Sequence, residues 1–189
     1  MSIKKEVDYY PDVAENFIKE LSHSLKDFGS FIVDFQPCGT IDLSKGIELI
    51  AKRQKLPIDF CGIPLELASG LFVDIIGIIY SEETKKCVLI ICELKKKPLS
   101  LTDFAQMVGY CYTSSIQCGV LISIDCRISS TFEKILKNNP HLLNFKANNK
   151  KFNMGICWWN SYSSELYFDP IGNIPSIYSL SRFIGNHLL

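Results

Sequence analysis

Two apolar segments joined by a polar turn decide the fold of this chain. The first segment reads LASGLFVDIIGIIY at residues 67–80, and the second reads VLIICELK at residues 88–95. The turn at residues 81–86 predicts that the two strands pair as an antiparallel hairpin. Residues 88–92 are an unbroken apolar run, which is typical of a strand buried on both faces of its sheet. We therefore expect helices on both sides of that sheet.

The rest of the chain alternates between helical and strand patterns. Apolar residues at helical spacing or polar helix-start signals predict helices at residues 12–28, 100–114, 129–138 and 175–187, with a further helix indicated around residues 45–54. Short apolar runs predict strands at residues 31–35, 119–124, 153–159 and 165–168. This order of elements predicts an α/β fold with a mixed central sheet flanked by helices.

Composition and charge narrow the classes of protein. The chain has 189 residues, of which 47% are hydrophobic and 21% charged, and this composition predicts one globular domain over residues 1–189. Its 20 basic and 20 acidic residues give zero net charge, which argues against a protein that coats nucleic acid through bulk charge but allows a local basic groove. We see neither a membrane-spanning run nor a signal peptide, and so expect a cytoplasmic protein (in the host cytoplasm for a viral one).

Three charged residues interrupt the two deciding segments. Asp74 lies within the first predicted strand, and Glu93 and Lys95 close the second. Residues two apart in a strand face the same side, so Glu93 and Lys95 project together, and the hairpin brings Asp74 near them. Two carboxylates and an ammonium suit metal-assisted phosphodiester hydrolysis. The simpler alternative is a structural ion pair at a strand end.

These residues form a pattern known from nucleases. Gly70-x-x-x-Asp74 is followed by Glu93-Leu94-Lys95 and then by Gln106-x-x-x-Tyr110 on the next predicted helix. The pattern resembles the PD-(D/E)xK nuclease superfamily, which has the restriction-endonuclease-like fold, and in particular its RecB-like group with a Q-x-x-x-Y motif.

The resemblance implies a role for each matching residue. Asp74, Glu93 and the backbone carbonyl of Leu94 would bind Mg²⁺ or Mn²⁺, and Lys95 would be the catalytic lysine. Gln106 would position the lysine, the metal or the scissile phosphate, and Tyr110 would contact DNA. In the first helix Glu15 matches a family glutamate that can contact the metal or its waters. The neighbouring Lys96 and Lys97 are further candidates for binding phosphates.

The cysteines and tryptophans indicate less about the function than the charged residues do. Eight cysteines are present, but no C-x-x-C occurs, so we expect buried free thiols and no Fe–S cluster, with a disulfide as the main alternative. Trp158 and Trp159 are adjacent, with Tyr162 and Tyr167 nearby. These four aromatic residues favour a protein–protein interface over a surface that stacks unpaired bases.

Several functions stay open at this point. The resemblance implies a metal-dependent DNA nuclease of replication, repair or recombination, acting on ends or single strands, on branched junctions or on a specific duplex site. A Holliday-junction-type resolvase would require a homodimer, and a helicase or another replication or repair protein would be a natural partner. From another class, the chain could be a non-catalytic nucleic-acid-binding subunit with the same fold. A plain α/β protein with coincidental charges is the third interpretation.

Overall fold

The computed structural model describes residues 4–57, 59–147 and 150–189 of the chain. Within these residues the helices are α1 (Tyr10–Leu25), α2 (Leu43–Gln54), α3 (Leu101–Ser114), α4 (Ser130–Asn138) and α5 (Ile177–Leu188). The strands are β1 (Phe31–Pro37), β2 (Ile75–Ser81), β3 (Cys87–Lys95), β4 (Cys118–Ile124), β5 (Asn144–Ala147), β6 (Lys150–Asn160) and β7 (Glu165–Phe168). Short 3-10 helices occupy Glu6–Tyr9, Leu65–Leu67 and Pro140–Leu143.

The described strands form one seven-stranded mixed sheet. Its order is β1-β2-β3-β4-β6-β5, and β7 also pairs with β6. The strands β1, β2 and β3 are antiparallel neighbours, whereas β3, β4 and β6 run parallel to one another. The predicted hairpin between β2 and β3 is confirmed, and so is the mixed sheet. The carboxyl ends of β3, β4 and β6 therefore meet at one edge of the sheet.

Helices cover both faces of this sheet, as the apolar run in β3 predicted. One core lies between the sheet and α1 and α5, and it includes Phe17, Ile90 and Ile184. The other core lies between the sheet and α2, α3 and α4, and it includes Ile91 and Met107. Alternate residues of β3 enter opposite cores because side chains alternate across a strand.

Several predicted boundaries differ from those of the structure, including the end of the first helix, which lies at Leu25 instead of residue 28. The segment predicted as a strand from residue 67 becomes one only at Ile75. Before it, the Leu71 carbonyl accepts from Leu43 N–H at the start of α2 at 2.7 Å instead of from a neighbouring strand. The first helix begins at Tyr10 rather than after an Asp12 cap, since Pro11 occupies its first turn.

The strand β5 was not predicted at all. It has four residues and pairs with the beginning of β6, which itself starts three residues earlier than expected. A pattern this short is not distinguishable from a loop in the sequence. Among the described residues, no helix combines the length and apolar character that crossing a lipid bilayer requires.

Candidate active site

The two carboxylates singled out in the sequence meet at one end of the β2–β3 hairpin. Asp74 directly precedes β2, and Glu93 lies two residues before the end of β3. Because Ile75 pairs with Cys92, the antiparallel register continues with Asp74 opposite Glu93. Residues at opposite positions have Cβ atoms about 5 Å apart, so both side chains reach the same space.

Lys95 joins these carboxylates. Its Nζ donates a hydrogen bond to Glu93 Oε2 at 2.9 Å and lies 4.0 Å from Asp74 Oδ2. Burial of Lys95 opposes its charged form, but the neighbouring Glu93 and Asp74 outweigh this and raise its pKa. Lys95 is therefore an ammonium at neutral pH, held between two carboxylates at the end of β3.

Two further donors hold Asp74. The backbone N–H of Leu94 donates to its Oδ2 at 2.7 Å, and the Tyr10 hydroxyl donates to its Oδ1. Burial, together with the Asp74 carboxylate, raises the pKa of Tyr10, so the hydroxyl keeps its proton and remains a donor. The resemblance implies a role for the Leu94 carbonyl, whereas the contact observed in the site is made by the Leu94 amide.

The carboxylate of Glu93 has fewer hydrogen-bond partners than that of Asp74. Its Oε1 is buried and has no hydrogen-bond partner, and the residue is only 2% exposed. Burial, with the nearby Asp74 second, raises the pKa of Glu93 to about 7. An unsatisfied buried carboxylate oxygen is costly, so this position favours either a proton or a cation.

The donor set fits a hard divalent cation. Mg²⁺ prefers oxygen ligands, keeps several waters and is commonly bound through one or two carboxylates, and Glu93 Oε1 is an oxygen without a partner. Over the residues that the structure describes, no group of three or more Asp, Glu, His or Cys side chains is arranged to hold a metal. A cation here would therefore depend on Asp74 and Glu93, with its other ligands coming from backbone, solvent or substrate.

The structure places a glutamate other than Glu15 beside this site. Glu6 Oε2 accepts a hydrogen bond from Lys96 N–H at 2.8 Å, and its charge acts on both Tyr10 and Lys95. Glu15 is exposed and lines a shallow surface pocket with Trp159 and Ser164. Sequence reasoning missed Glu6 and Tyr10 because their partners are 90 and 64 residues away in the chain.

Gln106 and Tyr110 share one face of α3, as their spacing predicted. Gln106 Nε2 donates to the Tyr110 hydroxyl at 2.8 Å. Among the described residues, no hydrogen bond joins either side chain to Asp74, Glu93 or Lys95. The roles assigned to this pair by the resemblance remain predictions.

The two lysines after Lys95 already have contacts within the chain. Lys96 Nζ donates to the Lys4 carbonyl at 2.6 Å, and Lys97 Nζ forms an ion pair with Asp103 Oδ1 at 3.0 Å. Both lysines are exposed. A phosphate that binds here must share or replace these contacts.

The aromatic and cysteine side chains occupy different environments. Trp159 is buried, whereas Trp158 stacks on Tyr167 with ring centroids 4.4 Å apart, and Tyr162 is 97% exposed.

All eight cysteines are free thiols, and the buried ones are Cys38, Cys92, Cys111, Cys118 and Cys157. Cys61, Cys87 and Cys126 are partly exposed, so the expectation of buried thiols is met by the other five.

Comparison with known proteins identifies no relative of this chain. No family model, curated protein or solved structure matches this chain.

Proposed function

We propose that this chain is a divalent-metal-dependent nuclease that hydrolyses DNA phosphodiester bonds on a restriction-endonuclease-like fold. One observation carries the proposal. Asp74 and Glu93 face each other at a strand end and share Lys95, while Glu93 Oε1 is buried without a partner. A stability-driven ion pair would be expected to satisfy that oxygen.

In this proposal Asp74 and Glu93 hold Mg²⁺ or Mn²⁺, with the Leu94 carbonyl as a proposed additional ligand. When bound, the cation supplies a Lewis acid that neutralises charge on the phosphate and makes an attacking water more acidic. Leu94 N–H and the Tyr10 hydroxyl fix the orientation of Asp74. This pre-positioning matters because outer hydrogen bonds to ligating carboxylates tune a metal site.

Lys95 has its own part in this proposal. Its ammonium reaches both carboxylates and keeps its charge at neutral pH. It can therefore orient the attacking water or stabilise the negative charge that develops on the phosphate. The same ammonium keeps the carboxylates close together when no cation is bound.

The order of elements supports the proposed fold. The hairpin that carries the carboxylates is followed by α3 and then by β4, which lies parallel to β3. We propose that the Gln106–Tyr110 face of α3, with Lys96 and Lys97, contacts the DNA. A Holliday-junction-type resolvase acting as a homodimer stays a prediction within this proposal, as does recruitment by a helicase.

A non-catalytic nucleic-acid-binding subunit is the second candidate. The observation that favours a non-catalytic role is the ion pair between Lys95 and Glu93, which closes the cluster internally as a structural pair would. In that case the Asp74–Glu93–Lys95 cluster would serve the fold alone. Removal of Glu93 would then leave DNA binding unchanged and reveal no lost activity.

A cleavage assay separates these candidates. Labelled single-stranded DNA, blunt duplex, flap and four-way junction are each incubated with Mg²⁺, Mn²⁺ or EDTA. We expect metal-dependent cleavage that falls by about 10²-fold or more in Glu93→Gln and Lys95→Ala. The half-exposed Glu133 provides the matched control, because Glu133→Gln removes a carboxylate on α4 and should cleave normally. Cleavage that persists in EDTA, or survives Glu93→Gln, would refute the proposal.

A further inference from the structure

A cavity of about 430 Å³ opens at the edge of the sheet opposite the carboxylate site. We call it the amino-end cavity because residues at or near the beginnings of β3, β4 and β6 line it, namely Cys87, Gln117 and Lys150. Asp74 and Glu93 lie at the other end of the hairpin. We infer that the amino-end cavity binds a small organic anion, with a phosphate or carboxylate head and an apolar body.

Apolar side chains from three parts of the chain form one portion of the cavity lining. Phe60 comes from the loop after α2, Ile116 from the connection between α3 and β4, and Phe183 from α5. Phe60 and Ile116 are buried, whereas Phe183 is half-buried. Apolar side chains from separate elements thus converge on one concave surface, which is the usual construction of a small-molecule site.

Cationic side chains complete the lining. Lys85 and Lys86 come from the β2–β3 turn and Lys150 from the start of β6, and all three are exposed. In the described parts of the chain, none of these ammonium groups forms an ion pair with an Asp or Glu side chain. Lys86 Nζ donates a hydrogen bond to the Leu189 carbonyl at 3.5 Å, and Asp59 is the acidic residue of the lining.

This charge pattern selects the class of ligand. Three lysines against one aspartate give the cavity a positive potential, which attracts anions and raises their local concentration. His187, whose Nδ1 N–H can donate to the Phe183 carbonyl at 2.8 Å, adds a ring to the wall. An inorganic anion would use only the lysines, whereas an anion with an apolar body would use the whole surface.

Calorimetric titration of the full chain tests this inference with three probes: adenosine 5′-monophosphate, decanoate and inorganic phosphate. We expect one of the first two to bind at least about tenfold more tightly than phosphate, and which one binds identifies a nucleotide or an acyl source. Failure of both organic probes, or equal binding of inorganic phosphate, would overturn the inference.

Two variants locate the binding. Lys85→Gln/Lys86→Gln/Lys150→Gln should weaken binding of the organic probe about tenfold, because three favourable charges are removed. Lys26→Gln/Lys52→Gln/Lys134→Gln is the matched control, since it removes three exposed lysines elsewhere and should leave affinity unchanged. Cys87→Trp fills the cavity and should abolish binding, with circular dichroism confirming the fold.

Equal affinity in the two triple variants would overturn the proposed site even if Cys87→Trp did not fold. The readout is binding rather than cleavage, so the result is independent of the proposed nuclease activity.

Discussion

Asp74 and Glu93 carry the same functional group in opposite surroundings. Both oxygens of Asp74 accept hydrogen bonds, from Leu94 N–H and from the Tyr10 hydroxyl. Glu93 has Lys95 on one oxygen and nothing on the other. Asp74 is therefore oriented in advance, whereas Glu93 is the group that gains most from a cation.

Replacement of Tyr10 tests this difference. Tyr10→Phe removes one donor from Asp74 and leaves the ring in place, so the carboxylate loses part of its orientation. We expect Mn²⁺ affinity to fall about tenfold, which is the low end for loss of an outer hydrogen bond. The measurement is titration of free Mn²⁺ by its electron paramagnetic resonance signal.

Tyr9 supplies the control for that experiment. It is also buried and directly adjacent, but its ring contacts the Lys4 ammonium instead of Asp74. Tyr9→Phe should bind Mn²⁺ as the unmodified chain does. If both variants bind equally well, Tyr10 has no positioning role.

At the residue scale the sequence predicted the charged cluster but not the Tyr10 hydroxyl that donates a hydrogen bond to it. Alternation along β3 placed Glu93 and Lys95 on one side, and the hairpin placed Asp74 opposite. Both inferences need only local geometry. The contact of Tyr10 with Asp74 could not be predicted, because no local rule links a residue to a partner 64 positions away.

At the scale of elements, two glycines allow helices to approach the sheet. On one face Phe35 of β1 stacks on Phe17 of α1 with ring centroids 5.0 Å apart, and a side chain at Gly77 of β2 would overlap the Phe35 ring. On the other face a Cβ at Gly119 of β4 would lie 2.8 Å from the sulfur atoms of Met107 and Met154. The neighbours of these glycines differ in stiffness.

This difference predicts unequal costs for the same substitution. Gly77→Ala should lower the free energy of unfolding by about 2–3 kcal/mol, because a stacked aromatic ring has little freedom to move. Gly119→Ala should cost less than about 1 kcal/mol, because methionine side chains adapt to their neighbours. Urea denaturation measures both values, and a larger loss for Gly119→Ala would contradict this packing.

The sequence predicted the positions of helices and strands where their periodic patterns were long. The prediction failed where the backbone hydrogen bonds are irregular. Ser129 as a helix cap was recoverable, since its side chain accepts from Phe132 N–H. The segment before β2 was not, because the Leu71 carbonyl bonds to Leu43 at the start of α2 in place of a strand partner. Asp74 consequently lies at the entrance to β2 rather than within it.

At the scale of the whole molecule, the sheet separates two chemically different edges. One carries Asp74 and Glu93 beside the end of β3, and the other carries the lysines around the amino-end cavity. The sequence predicted the layers and the first edge. The cavity was unpredictable because its lining comes from separate loops and elements that only the tertiary fold brings together.

Glu93 also links the global stability of the protein to pH. Its pKa is about 7 in the folded chain against an ordinary value of 4.5, so the folded state binds the proton more tightly than the unfolded state. This contribution to stability is complete below pH 4.5 and is lost as pH rises through 7. Glu93→Gln should remove it.

Urea denaturation in EDTA at several pH values measures this linkage. The free energy of unfolding of the unmodified chain, relative to Glu93→Gln, should decrease between pH 4.5 and pH 7. A constant difference between the two proteins over that range would show that Glu93 titrates normally.

Direct titration with Mn²⁺ is the measurement that tests the central claim, a divalent cation held by Asp74 and Glu93. The unmodified chain should bind Mn²⁺ at this site, and Asp74→Asn and Glu93→Gln should each abolish that binding, while Glu133→Gln retains it. Absence of binding to the unmodified chain, or equal binding to all four proteins, would contradict the claim.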